Sequence, residues 1–189
     1  MSLEPYREEL QSNQNSRIGP SKEAHPDRKS HQRYWSCIGN CRSLFRSVIS
    51  WIWFINKERI HDIDPVQCGK WMFFFSPFKT ALMDDIVGTA VLDGVVVEAK
   101  YSNPETLIAA GSKQGVCCFY LNGNDRKSHK RVLSYMLGNG LIRKTKTGKL
   151  YNISFKFDSE TYAGKYKESG FSGKIKLADF VDLETGEFI

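Results

Sequence analysis

The chain has 189 residues, of which 41% are hydrophobic and 13% aromatic. That is enough apolar material for one domain with a core, and it excludes a chain disordered throughout. No apolar run approaches the roughly 18–20 residues that span a bilayer; the net charge of +6 favours anionic partners without naming one.

Residues 1 to about 33 read as a polar disordered tail. The run 11–16 contains no aliphatic residue, and Pro20 and Pro26 interrupt any helix. A single α+β domain is expected over residues 34–189. The first ten residues carry Glu4, Glu8 and Glu9, so they have neither the basic start nor the apolar stretch of a secretory signal. The five cysteines are Cys37, Cys41, Cys68, Cys117 and Cys118. An odd count without a leader implies reduced thiols and a cytoplasmic or nuclear protein. Cys117 and Cys118 are adjacent in an apolar strand, where they point to opposite faces as packing residues.

Residues 41–56 are strongly apolar. A membrane-surface helix would need a helical stripe, yet 51–55 is apolar on every side and rich in aromatic and β-branched residues. The pattern predicts a strand over 51–56, with a short helix upstream over 43–50. A second strand is predicted over 69–75. Ser76-Pro77 then opens a helix that carries Ile86, Ala90 and Val91 at helical spacing and stops at Gly94. The third strand spans 95–101, with Val95, Val97, Ala99 and Tyr101 on one side. Asn103-Pro104 starts a short helix that ends near Gly111. The fourth strand is 115–121. Asn122 to Asp125 form a turn and cap for a helix over 126–137. A fifth strand alternates Tyr151, Ile153, Phe155 and Phe157 over 150–157, the stretch after it is turn-rich, and a late strand covers 173–180. This order predicts a mostly antiparallel sheet with helices on one face.

Three stretches and one short motif together carry a resemblance. They are Trp51 to Asn56, Gly69 to Phe74, Phe155 to Asp158 continuing through Thr161 to Tyr166, and Ala99-Lys100-x-Ser102 between them. Over about residues 50–168 the chain resembles the basophilic leukemia-expressed protein family, a group of uncharacterised domains. The resemblance implies the fold of the mRNA cap-binding translation initiation factor, a curved antiparallel sheet backed by helices. That factor sandwiches a methylated guanine between tryptophans on loops, whereas Trp51, Trp53 and Trp71 sit in predicted strands here. Bacterial relatives of the family are sometimes labelled phosphothreonine lyases, which the resemblance brings in as a second implication.

Residues 122–149 hold Arg126, Lys127, Lys130, Arg131, Arg143, Lys144, Lys146 and Lys149 against Asp125 alone. The rest of the chain is close to neutral. Such a patch neutralises phosphates; the plainer reading is a solvated helix face and a lysine-rich hairpin. Tyr120, Tyr135, Tyr151, Phe155, Tyr162 and Tyr166 lie near the charges in sequence, and aromatics beside lysines can stack bases. Tyr162 lies in a turn-like segment and is the leading candidate among them. Lys100 and Lys156 each interrupt an apolar strand. Each either reaches solvent or enters a pocket with an anion.

The expected function is non-catalytic binding of an anionic ligand, RNA or a nucleotide, through Lys100, Arg126, Lys127, Lys130, Arg131, Lys156 and Tyr162. The alternative is a lyase acting on phosphothreonine, with Lys100 as base, His129 or Tyr162 as acid, and Arg126, Arg131 and Lys156 around the phosphate. His129 reads more simply as a surface residue. A third class is a protein-interaction module using an exposed Trp51–Trp53 region. No nucleotide-loop, dinucleotide or nucleophile-elbow motif is present, and no cofactor is expected. Cys37 and Cys41 with His25 and His31 make a poor zinc set, because no second histidine pair follows.

Overall fold

Residues 43–48, 50–77, 80–163 and 173–189 are described in the computed structural model. The expected tail over 1–33, the Cys37–Cys41 pair and Tyr166 lie outside them. Ser43–Val48 (β1) and Trp51–Asn56 (β2) form an antiparallel hairpin in which Val48 faces Trp51. The expected helix over 43–50 is therefore a strand. The hydrogen bonds offered by β2, together with the β-formers Phe45 and Val48, override a weak local helical preference. The strand expected over 51–56 is present as β2.

A 3₁₀ turn over Lys57–Asp62 leads to Cys68–Phe75 (β3). The helix that follows is described over Thr80–Leu92 (α1), so its expected start next to Ser76-Pro77 adjoins residues that are not described. It stops as expected at Gly94, whose φ of 69° is the left-handed conformation that glycine adopts without steric cost. The next strand, Glu98–Ser102 (β4), begins three residues later than its apolar pattern suggests. Val96 N–H donates back to the Ala90 carbonyl at 3.1 Å, which closes the helix end. Pro104–Ala109 (α2) is capped by Asn103, whose side chain accepts from Glu105 N–H. Gly115–Asn122 (β5) and Arg126–Gly138 (α3) follow, with Asp125 capping α3 through Ser128.

The fifth expected strand shrinks to Lys156–Phe157 (β6). Residues 150–155 find backbone partners one at a time instead of in a ladder. Leu150 N–H donates to Leu183 O, and Phe155 N–H donates to Ile175 O. The late strand over 173–180 is likewise reduced to an isolated bridge at Lys176 and a 3₁₀ turn, Leu177–Asp179. Within the turn-rich stretch, Asp158–Tyr162 (α4) is a short helix.

The result is mixed α and β. One open six-stranded sheet has the order β1-β2-β4-β5-β3-β6, and all of its pairings are antiparallel. The pleat sends alternate residues to opposite faces. Ile52, Tyr101, Cys117 and Phe73 line up across β2, β4, β5 and β3, and so do Phe54, Ala99, Phe119 and Trp71. Both rows pack on Met83, Val87 and Val91 of α1 and on Val132, Leu133 and Met136 of α3. Fully burying one such aliphatic side chain stabilises by about 1.5–3 kcal/mol. Helices thus cover this face, as expected.

Phe155 crosses β3 where Gly69 leaves room. A Cβ on Gly69 would lie 2.5 Å from the Phe155 ring and 2.7 Å from the Lys156 carbonyl oxygen. Gly69→Ala is therefore expected to lower unfolding stability by about 1–3 kcal/mol through overpacking. Urea denaturation checks this, and an unchanged midpoint would show that Phe155 moves aside without cost.

Candidate functional site

The face of the sheet turned away from α1 and α3 has a different chemistry. Trp53 of β2, Lys100 of β4, Cys118 of β5 and Met72 of β3 form one row. Ile55, Glu98, Tyr120, Lys70 and Lys156 form the next, ending on β6. Lys70, Glu98, Lys100 and Lys156 are all buried, as is Asp158 on α4. Among the described residues, Lys70, Lys100, Lys156, Glu98 and Asp158 thus lie on or beside one sheet face, away from bulk water. Burying charge is costly unless partners compensate.

The compensation differs from lysine to lysine. Lys70 Nζ lies 2.6 Å from Asp158 Oδ1 and donates to Thr161 Oγ1 at 3.2 Å, which ties α4 to β3. Lys100 has aromatic neighbours instead. Its Nζ is 4.0 Å from the centroid of Trp51, 4.4 Å from Trp53 and 5.9 Å from Tyr120. Among the described residues no carboxylate lies within ion-pair distance of it. Desolvation pulls the Lys100 pKa below the ordinary lysine value, and the Lys70 charge adds to the fall. The two indole faces favour the ammonium, by roughly 2 kcal/mol for a desolvated contact, and so offset part of that shift. Lys156 is also pulled down, by burial and then by Lys70, which is its register partner. Tyr120 stacks on Trp53 with centroids 6.1 Å apart and planes 13° apart. Its hydroxyl is buried with no hydrogen-bond partner, and burial holds its pKa well above the ordinary phenol value.

The expected site residues separate into two groups, one on each side of the sheet. Lys100 and Lys156 share the face just described, and α4 places Tyr162, which is exposed, beside the Lys70 anchor. The basic residues of α3 belong to the other side and are engaged with the fold, Lys127 apart. Arg126 donates to Asp179 O and lies over the Phe180 ring. Lys130 donates to Ile189 O. Arg131 donates to Val95 O and to Ser128 Oγ. Lys127 is exposed. A phosphate clamp combining Arg126 and Arg131 with Lys156 does not assemble, because the sheet lies between them.

His129 is not a surface residue. It is 1% exposed and accepts from Trp71 Nε1 through Nδ1 at 2.9 Å. Nε2 therefore carries the ring proton and faces Gly123 O at 3.1 Å. Both nitrogens are in use, on the helix side of the sheet, which removes His129 as an acid for chemistry at Lys100. The Trp51–Trp53 region is not an open surface either. Trp53 is 4% exposed, and both rings lie against Lys100. Cys117 and Cys118 do point to opposite faces, both buried and reduced. Among the described residues no cluster of His, Cys, Asp and Glu is arranged to hold a metal, and no helix is long and apolar enough to cross a membrane.

Sequence reasoning missed Lys70, Glu98, Tyr120 as a face residue, and Asp158. Lys70 satisfied the criterion that selected Lys100 and Lys156, a lysine interrupting an apolar strand. Glu98 was visible through period two from Lys100. Asp158 was not accessible, because its pairing depends on α4 folding back over β3. No family model matches the chain, and no curated protein matches it.

Two stability predictions follow from this geometry. Asp158→Ala leaves the Lys70 ammonium buried without its carboxylate and is expected to cost about 3–5 kcal/mol; the double variant Lys70→Met, Asp158→Leu should recover most of that in denaturant unfolding. A double variant no more stable than the single one would show that the pair is not self-contained. Burial lowers the His129 pKa from its ordinary 6.5. The neutral ring is the folded form, so its stabilisation is complete above 6.5 and is lost as pH falls from there towards the folded value. Wild type should lose more stability between pH 8 and pH 5 than His129→Phe does. Parallel curves for the two proteins would contradict the assignment.

Proposed function

We propose that this chain binds a phosphate-bearing anion of nucleotide chemistry, a free nucleotide or RNA, on the sheet face that carries Lys70, Lys100 and Lys156. The observation that carries the reading is the burial of Lys70, Lys100 and Lys156 on one sheet face, beside a buried Tyr120 hydroxyl with no partner. An anion brought to this face pairs with Lys100, which has no carboxylate within ion-pair distance among the described residues, and offers an acceptor to the phenol. Trp53 and Tyr120 are buried against each other, so of the three rings it is the half-buried Trp51 that a base could stack on. This reading keeps Lys100 and Lys156 of the expected set and leaves out Arg126, Lys127, Lys130 and Arg131 of α3. The antiparallel sheet backed by helices supports, within this reading, the likeness to the basophilic leukemia-expressed protein family and to the cap-binding fold.

One observation favours the elimination reading as second choice. Burial makes the Lys100 amine a better base at neutral pH than a surface lysine. That reading keeps Lys100 and Lys156 and loses His129, Arg126 and Arg131 from the set around the phosphate.

Anisotropy of a labelled single-stranded RNA, with a mononucleotide as competitor, tests the proposal across a salt series. Lys156→Ala should weaken binding by about fivefold or more, and Lys127→Ala by less than about twofold, since an exposed charge contributes little. The reverse ranking would place the ligand on α3. An absence of binding at low salt would sink both sites and leave elimination from a phosphothreonine peptide, assayed with wild type and Lys100→Met, as the reading to pursue.

A further inference from the structure

The environment of Lys100 combines two conditions that turn a lysine from a charged anchor into a nucleophile. The first is removal from water. Lys100 is 8% exposed, with no carboxylate within ion-pair distance among the described residues, and the faces of Trp51 and Trp53 on Nζ offset only part of that desolvation. The second is a neighbouring cation. Lys70 lies one row across the same face, and both ammonium groups approach the ring of Tyr120, Lys70 at 5.4 Å and Lys100 at 5.9 Å from its centroid. A desolvated amine next to a second cation is the arrangement that activates lysine towards carbonyl carbon. Lys70 cannot serve in the same way, because Asp158 and Thr161 hold its ammonium.

We propose that Lys100 is a nucleophilic amine that condenses with a small aldehyde or ketone bearing an anionic group, forming an imine on the sheet face. The Nζ lone pair attacks the carbonyl carbon as the C–O π bond breaks, and a proton passes from nitrogen to oxygen to give a carbinolamine. Loss of the hydroxyl with a proton, as water, leaves the C=N bond. One water is released for each imine, and no oxidant or reductant takes part. The Tyr120 hydroxyl, buried on the neighbouring ring without a partner, is the group on this face with a proton still to offer to the departing oxygen. Burial shifts Lys100 towards the free amine. The anionic group of the substrate is assigned to the lysine-bearing side of this face, where Lys70 lies one row from Lys100, and this part rests on the anion-binding reading above.

The test uses pyridoxal 5′-phosphate and pyridoxal as probes on the full chain at pH 7, with borohydride reduction and peptide mapping by mass spectrometry. Lys127, Lys144 and Lys146 are exposed and serve as internal controls. Lys100 is expected to be labelled about tenfold faster than these controls. The phosphorylated probe should be faster than pyridoxal at Lys100. Equal labelling of Lys100 by both probes, still ahead of the controls, supports the nucleophilic amine and overturns the anion-binding reading. Labelling of Lys100 no faster than of Lys127 overturns the proposal, whatever the anion does. Because the comparison is made within the wild-type protein, it does not depend on Lys100→Met folding; where that variant folds, it must lose the labelled peptide.

Discussion

Lys70 and Trp71 are neighbours in β3, and the pleat sends their side chains to opposite faces of the sheet. Trp71 goes to the helix side. It is fully buried, donates to His129 of α3 and meets the edges of Phe155 and Phe180. Lys70 goes to the other side, pairs with Asp158 and stands opposite Tyr120 and Lys156. A one-residue slip of β3 would exchange these environments, placing an ammonium among aliphatic side chains and an indole among lysines. The register of β3 is therefore held from both sides, by apolar packing on one and by charge pairing on the other.

The same division explains what was legible in the sequence. Features written in local chemistry were readable. Asn103 and Asp125 cap α2 and α3, Gly94 ends the turn after α1, and the apolar runs of β2, β3 and β5 are continuous because both sheet faces are covered. Features that depend on a distant partner were not readable. β1 is a strand because β2 offers it an edge. Residues 150–155 alternate like a strand yet lack a ladder, because their backbone partners are scattered single residues, Leu183 and Ile175 of the C-terminal segment and Arg143 before it among them. Alternation reports which way a side chain points, and Phe155 and Phe157 do share a side. It does not report whether a neighbouring strand exists.

The candidate site was legible in part for the same reason. Lys100 and Lys156 stood out because each interrupts an apolar strand, and the sheet brings them to one face. The arginines and lysines of α3 stood out because they are dense in sequence, but density says nothing about what a charge touches. Arg126, Lys130 and Arg131 touch backbone carbonyl oxygens of later or earlier segments. There they satisfy groups that would otherwise lack donors, and their alkyl stems cover apolar surface.

A sheet face selected only for stability would not carry Lys70, Lys100 and Lys156. Well-packed apolar residues of similar volume are commonly as stable as a buried ion pair, or more so. Here three ammonium groups are withdrawn from water, and the compensation for Lys100 comes from aromatic rings. The phenol of Tyr120 adds a buried polar atom without a partner, which costs about 1–3 kcal/mol. Each departure from an apolar face is destabilising by itself, and all of them lie on the face turned away from α1 and α3. An anion on that face pairs with Lys100 and offers the phenol an acceptor in one step. This makes that face, and Lys100 in particular, the place where this fold trades stability for chemistry.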